Sequence, residues 1–259
     1  MAERLAGIPG VQAVALGGSR ARGAHRPDSD WDLGVYYRGS LDVPGLAALA
    51  AEYTGEPVEV AGPGGWGPWV NGGAWLTVDG TSVDWVLRDL DRVERVWQDC
   101  REGRYEVGMQ AGHPLGFWSP TYAGEVALCT VLADPAGELG ALRATTGQYP
   151  QALRTALTGA AWEADFSVAN ARKSARGGDT LHVSLCLSKA FGVLAQAMLG
   201  DAGVWCVNEK GALRTAAQLP SAPDDFEERV AQCLRSLDEG AVEAAGVLVG
   251  EVRAGLGAR

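Results

Sequence analysis

Three aspartates and one glycine-rich turn are the residues of this chain whose types and spacing could do chemistry. The turn, Gly17-Gly18-Ser19-Arg20-Ala21-Arg22-Gly23, follows the apolar run Val11–Leu16, and after ten intervening residues beyond Ser19 comes Asp30-Trp31-Asp32-Leu33-Gly34-Val35. Side chains alternate along a strand, so Asp30 and Asp32 share one face while Trp31 and Leu33 take the other. Two neighbouring carboxylates in an otherwise apolar strand repel each other and lose hydration, which is costly unless a cation lies between them. Asp84 repeats the anomaly inside Ser82-Val83-Asp84-Trp85-Val86-Leu87. If the two strands are neighbours, three carboxylates converge, and such hard oxygen donors select Mg²⁺ or Mn²⁺. Glycines in the turn let backbone N–H groups approach a ligand, and a following helix would aim its positive end at an anion. Ser19 can donate to a phosphate oxygen, with Arg20 and Arg22 adding positive charge. A phosphate cradle beside a metal cluster is what phosphoryl or nucleotidyl transfer requires.

The elements that must hold these residues can be read from periodicity. Val11–Leu16 reads as a buried strand, and residues 30–37, 57–61, 74–79 and 81–88 as further strands, with Asp79-Gly80 a two-residue hairpin turn between the last two. Residues 41–53 have helical spacing, with Asp42 and Pro44 at the start. The segment 62–73 is a Gly/Pro-rich loop carrying Trp66 and Trp69, whose rings could stack on a ligand or plug a domain junction; packing is the commoner use. A helix is predicted over 89–102, then a Pro/Gly-containing connection at 113–120. Beyond it the helical spacings cover 122–132, Glu138–Thr146, 150–174, 180–200, 210–218 and 225–256, the last broken near Gly240. The sequence therefore divides into an α/β part, 1–112, and an all-helical part, 113–259.

Composition excludes several classes. Acidic residues outnumber basic ones 32 to 22, for a net charge of -10, which argues against nucleic acid and anionic membranes as partners. No stretch approaches the roughly 20 uninterrupted apolar residues of a membrane span, and the N-terminus has no secretion signal. The five cysteines are scattered, with no CxxC pair, as expected of reduced thiols in a cytoplasmic protein. His25, His113 and His182 are too dispersed for a metal site. Lysine is rare, and Lys173, Lys189 and Lys210 all fall in the helical part; Glu163, Asn170 and Lys173 share one helical face.

Gly18-Ser19, the ten-residue spacing, Asp30-x-Asp32 and the later strand aspartate together resemble the signature of DNA polymerase β-like nucleotidyltransferases. The version here is similar to that of the antibiotic and minimal nucleotidyltransferases. The motif covers roughly the first 90 residues, and the rest resembles more loosely the helical domain of bacterial drug-modifying relatives. The resemblance implies an α+β protein: a catalytic domain of mixed sheet with flanking helices, followed by an all-α bundle. It implies two Mg²⁺ ions, replaceable by Mn²⁺, on Asp30, Asp32 and Asp84, and an NTP donor, ATP by expectation, held by Gly18, Ser19, Arg20 and Arg22. A helical-domain cation, Lys173 or Lys210, would help neutralise the triphosphate, and the general base would be Glu125 or Glu163. The implied reaction moves AMP to a hydroxyl of a small molecule, an aminoglycoside-like antibiotic being the model acceptor, and a homodimer sharing a site is compatible with the class. Protein nucleotidylation of the antitoxin kind and a non-catalytic nucleotide sensor are the alternatives.

Overall fold

Apolar residues at alternate positions build a sheet with one buried face. In the computed structural model, which describes residues 1–257, α1 (Ala2–Ala6) leads into β1 (Val11–Leu16), a single turn α2 (Gly18–Ala21), β2 (Trp31–Tyr37) and α3 (Val43–Thr54). The hairpin β3 (Gly72–Val78) and β4 (Thr81–Asp89) follows, then α4 (Leu90–Arg101), a second hairpin of β5 (Val107–Gln110) and β6 (His113–Trp118), α5 (Thr121–Leu128), β7 (Thr130–Ala133) and α6 (Glu138–Thr146). The five-stranded sheet runs β3-β4-β2-β1-β7. Only β2 and β4 are parallel; the other pairs are antiparallel. Leu33, Val35 and Tyr37 of β2 face the same side as Val83, Trp85 and Leu87 of β4, and together with Leu46 and Leu49 of α3 they form a core. Asp42 caps α3 by accepting from the Gly45 N–H at 3.0 Å, and a left-handed Gly55 ends it.

The chain forms two compact units, Met1–Asp99 with Tyr105–Gln148, and Cys100–Arg104 with residues 149 onward. The second unit contains α7 (Gln151–Gly159), α8 (Trp162–Arg176), α9 (Thr180–Asp201), α10 (Ala212–Ala217), α11 (Phe226–Ser236) and α12 (Glu239–Gly255). Asp179 and Asp238 cap α9 and α12 with hydrogen bonds from the N–H groups of His182 and Ala241. By length and composition α9 could cross a membrane, but 67% of its most apolar window is buried, as in a core helix.

Several elements depart from the sequence reading. Residues 57–61 contribute only one bridge, Ala61 to Gly73, because Pro57 has no N–H to extend a ladder. The stretch 113–120 is β6 rather than a connection: its apolar residues pair with β5. The helix predicted over 122–132 stops at Leu128, Cys129 is extended, and Thr130–Ala133 joins β1. The first unit therefore runs past residue 112 to Gln148. The segment 150–174 breaks at Ala160–Ala161, after the weak helix former Gly159. The last break comes at Leu237, left-handed with φ 52°, and not at Gly240.

Candidate active site

Parallel pairing of β2 and β4 sets Asp32 opposite Asp84, Gly34 opposite Val86 and Tyr36 opposite Arg88. Residues at paired positions share a face, so both carboxylates stand on the side of the sheet away from the α3 core. Asp30 lies just before β2, exposed to solvent. The carboxylates repel one another. Burial first, then Asp30 and Glu125, push the Asp32 pKa up, while Arg22 and Arg20 pull it down. Asp84 rises to about 6 through burial, then through Asp32 and Asp30. Burial and the neighbouring carboxylates favour the neutral acid, and a divalent cation would outweigh them.

The donor set fits such a cation in type: hard oxygens, two of them opposite each other in register. Among the described residues no three such groups are gathered into a ready cage. Asp32 and Asp84 are therefore the pair the fold itself brings together, and Asp30 the one that must be drawn in.

The turn after β1 closes on Asp32. The Gly17 N–H donates to the Asp32 carbonyl at 2.7 Å. At Gly18, φ is 61°, and a Cβ there would collide with the Asp32 carboxylate oxygen Oδ2. Ser19 is the second residue of α2, and no hydrogen bond is made by its hydroxyl among the described residues. With four residues, α2 is too short to carry a sizeable dipole. The groups at this turn that could receive an anion are the serine hydroxyl and the local N–H groups.

The two arginines of the turn act on the backbone. Arg20 donates through Nη2 to the Ser29 carbonyl at 2.6 Å and through Nε to the Asp30 carbonyl at 3.1 Å. Its guanidinium lies 4.4 Å from the centroid of the Trp31 ring. Arg22 donates through Nε to the Gly18 carbonyl at 3.1 Å. Both residues tie the Gly18 turn and the approach to Asp30 into one shape.

Glu125 of α5 is near enough to help raise the Asp32 pKa, after burial and Asp30. Both of its carboxylate oxygens accept from Arg88, at 2.6 and 2.7 Å. Arg88 is 5% exposed and also donates to the Val70 carbonyl at 2.7 Å. Glu163, Lys173 and Lys210 lie in the second unit. There Glu163 pairs with Lys189 at 3.5 Å, and Lys173 and Lys210 are exposed.

Three features of this face escaped the sequence reading: the Arg88–Glu125 pair, the buried Tyr36, and Trp75. Trp75 pairs with Asp84 across β3 and β4, and it is 69% exposed. The strand alternation held a signal, since Ala74 and Leu76 face the core and put Trp75 on the polar side. Trp69 packs, stacking on Phe117 at 5.8 Å under the Arg92 guanidinium.

Residues 2–61 match the family model of the nucleotidyltransferase domain. The N-terminal segment is therefore similar to a nucleotidyltransferase domain. The match includes Gly18, Ser19, Asp30 and Asp32 and stops short of Asp84, which strand register sets opposite Asp32, and of Glu125, which pairs with Arg88. The chain is also similar to a nucleotidyltransferase-like protein from Exiguobacterium sibiricum 255-15, at 14% identity and a TM-score of 0.48, over 97% of this chain and 71% of that one. The comparison with curated proteins returned no match.

Proposed function

We propose that the protein transfers a nucleoside monophosphate from an NTP, ATP by preference, to a hydroxyl of a small molecule, with Mg²⁺ on Asp30, Asp32 and Asp84. The observation that carries this reading is the contact of Gly18 with the Asp32 carboxylate, beside Asp84 across β2 and β4. It supports the reading because the turn that would receive phosphate lies against the carboxylates that would hold the cation.

Bound cation would neutralise the triphosphate and acidify the acceptor hydroxyl. The chain's own residues do the rest. Ser19 donates to non-bridging phosphate oxygens, and the Gly18 backbone lets the triphosphate approach Asp32 closely. Asp84 stands on the acceptor side and takes the hydroxyl proton at its carboxylate. The acceptor oxygen bonds to the α-phosphorus as the bond to the bridging oxygen breaks, and pyrophosphate leaves. Glu125 is a positioning residue rather than the base, since both its oxygens are held by Arg88.

The test is pyrophosphate release with Mg²⁺, each NTP and a panel of hydroxyl acceptors, with Asp32→Ala/Asp84→Ala alongside. The wild type should release pyrophosphate dependent on one acceptor class, and the variant should lose at least about 10²–10³-fold. Equal release by the variant would sink the assignment of these aspartates. Absence of Mg²⁺-dependent NTP binding would sink the transferase reading itself.

A further inference from the structure

A cleft of about 980 Å³ lies in the first unit, lined by Trp66, Trp75, Met109, Gln110 and His113 among others, and its Trp75 wall is the cross-strand neighbour of Asp84. The volume is that of a small-molecule site. Its two indoles are stacked, with centroids 4.4 Å apart and planes 17° from parallel. Trp66 is held there from three directions. Its N–H donates to the Asn71 carbonyl at 2.9 Å, and its carbonyl accepts from Gln110 Nε2 at 2.6 Å. Its ring lies over Gly73, where a Cβ would strike it. Gln110 Oε1 further accepts from the N–H groups of Trp69 and Val70, at 3.0 and 3.1 Å. The loop is thus fastened so as to support one side of Trp75.

Trp75 itself gains little from this in the free protein. It sits on the edge strand β3 and is 69% exposed, and Met109, which also lines the cleft, is 93% exposed. Two exposed apolar side chains gathered in one cleft make the kind of patch that marks a ligand-binding groove. Position in the sheet bears on which ligand. The order β3-β4-β2-β1 puts the Gly18 turn at the β1 side of Asp32 and Trp75 at the opposite side, beyond Asp84. Donor phosphates and cleft therefore flank the carboxylates from opposite sides. None of the described residues lining the cleft is acidic, so a polycation would find no counter-charge there.

We infer that this cleft is the acceptor subsite and that it takes a neutral molecule with a flat apolar ring, stacked on the open face of Trp75 with its hydroxyl directed at Asp84. The inference rests on the transferase reading above, and it favours a neutral aromatic alcohol over a polycationic aminoglycoside as the acceptor.

The experiment uses full-length protein labelled with 5-fluorotryptophan, the Trp75 fluorine resonance being assigned by its loss in Trp75→Phe. The probes are 2-phenylethanol, 1-naphthaleneethanol and 9-anthracenemethanol, with kanamycin as the polycation, each added with Mg²⁺ and a non-hydrolysable ATP analogue. The Trp75 resonance should shift with the aryl alcohols and not with kanamycin. Met109→Asp, at an exposed position, should weaken aryl-alcohol binding about tenfold and leave affinity for the ATP analogue unchanged. A Trp75 resonance silent to all three alcohols while the analogue binds overturns the cleft assignment and leaves the transferase reading standing. So does a resonance that answers to kanamycin alone. Failure of the analogue to bind removes the transferase reading, whatever the alcohols do.

Discussion

At position 18 the backbone has φ 61° and lies against the Asp32 carboxylate, so two separate constraints exclude a side chain. Gly18→Ala should cost about 1 kcal/mol of stability, from the left-handed backbone alone. It should lower kcat/KM by roughly 10²-fold, because the carboxylate must move to make room. A thermal melt read beside steady-state pyrophosphate release separates the two effects. Asp84 gives a prediction of opposite sign. Its carboxyl holds a proton more tightly folded, with a pKa of about 6, than at its ordinary value of 3.8. In that window the folded state binds more protons than the unfolded one, so metal-free stability falls as pH rises through it. Above it the cost persists at about 1 kcal/mol, reduced by solvent screening. Asp84→Asn should therefore raise the metal-free Tm at pH 8 by about 2–4 °C while abolishing transfer; an unchanged or lower Tm would contradict the repulsion. Most of these residues were legible in the sequence. Gly18-Ser19 and Asp30-x-Asp32 sit close together in the chain, and Asp84 stands alone in an apolar run. Trp75 was not, because its meaning depends on β3 being an edge strand beside Asp84.

Between elements, the decisive link is Arg88 to Glu125, which ties β4 to α5 through two hydrogen bonds to a guanidinium 5% exposed. Breaking one side of a buried pair leaves the partner charge uncompensated and typically costs 3–5 kcal/mol. Glu125 is the more exposed partner, so Arg88→Met should fall at the low end, about 3 kcal/mol by urea denaturation. Arg88→Met/Glu125→Leu should recover much of that loss while still impairing transfer, since α5 no longer presents a carboxylate to the centre. The pair spans 37 positions in the chain, and no local pattern announces it. The same is true of β7. Its four residues follow α5 directly, and their spacing continues the helical pattern; only the open side of β1 makes them a strand. The β3–β4 hairpin was visible by contrast, because Asp79-Gly80 adopts left-handed backbone at both positions, φ 49° and 76°, as a tight hairpin turn demands.

For the whole molecule, charge bears on the choice of partner. With 32 acidic residues against 22 basic ones, the overall field disfavours the approach of a phosphate backbone. Electrophoretic mobility of single- and double-stranded DNA and of tRNA should be unchanged by the protein at about 0.1 M salt, where screening already limits attraction to about 10 Å. A shift under those conditions would reopen nucleic acid as the acceptor. The division into units was partly legible. The change from alternating to helical spacing was real, but β5, β6 and β7 all lie beyond the point where that change begins.

That late strand has a consequence for how the protein is made. β1 meets β2 as soon as Tyr37 has been synthesised, yet its other side is paired only by Thr130–Ala133. At about 5–20 residues per second, the nascent chain carries an open strand edge for roughly 5–20 s on the ribosome. A message ending before codon 133 would leave that edge open for good, a template for edge-to-edge association. Its product should enter inclusion bodies, although every residue of the Gly18–Asp84 centre would have been translated.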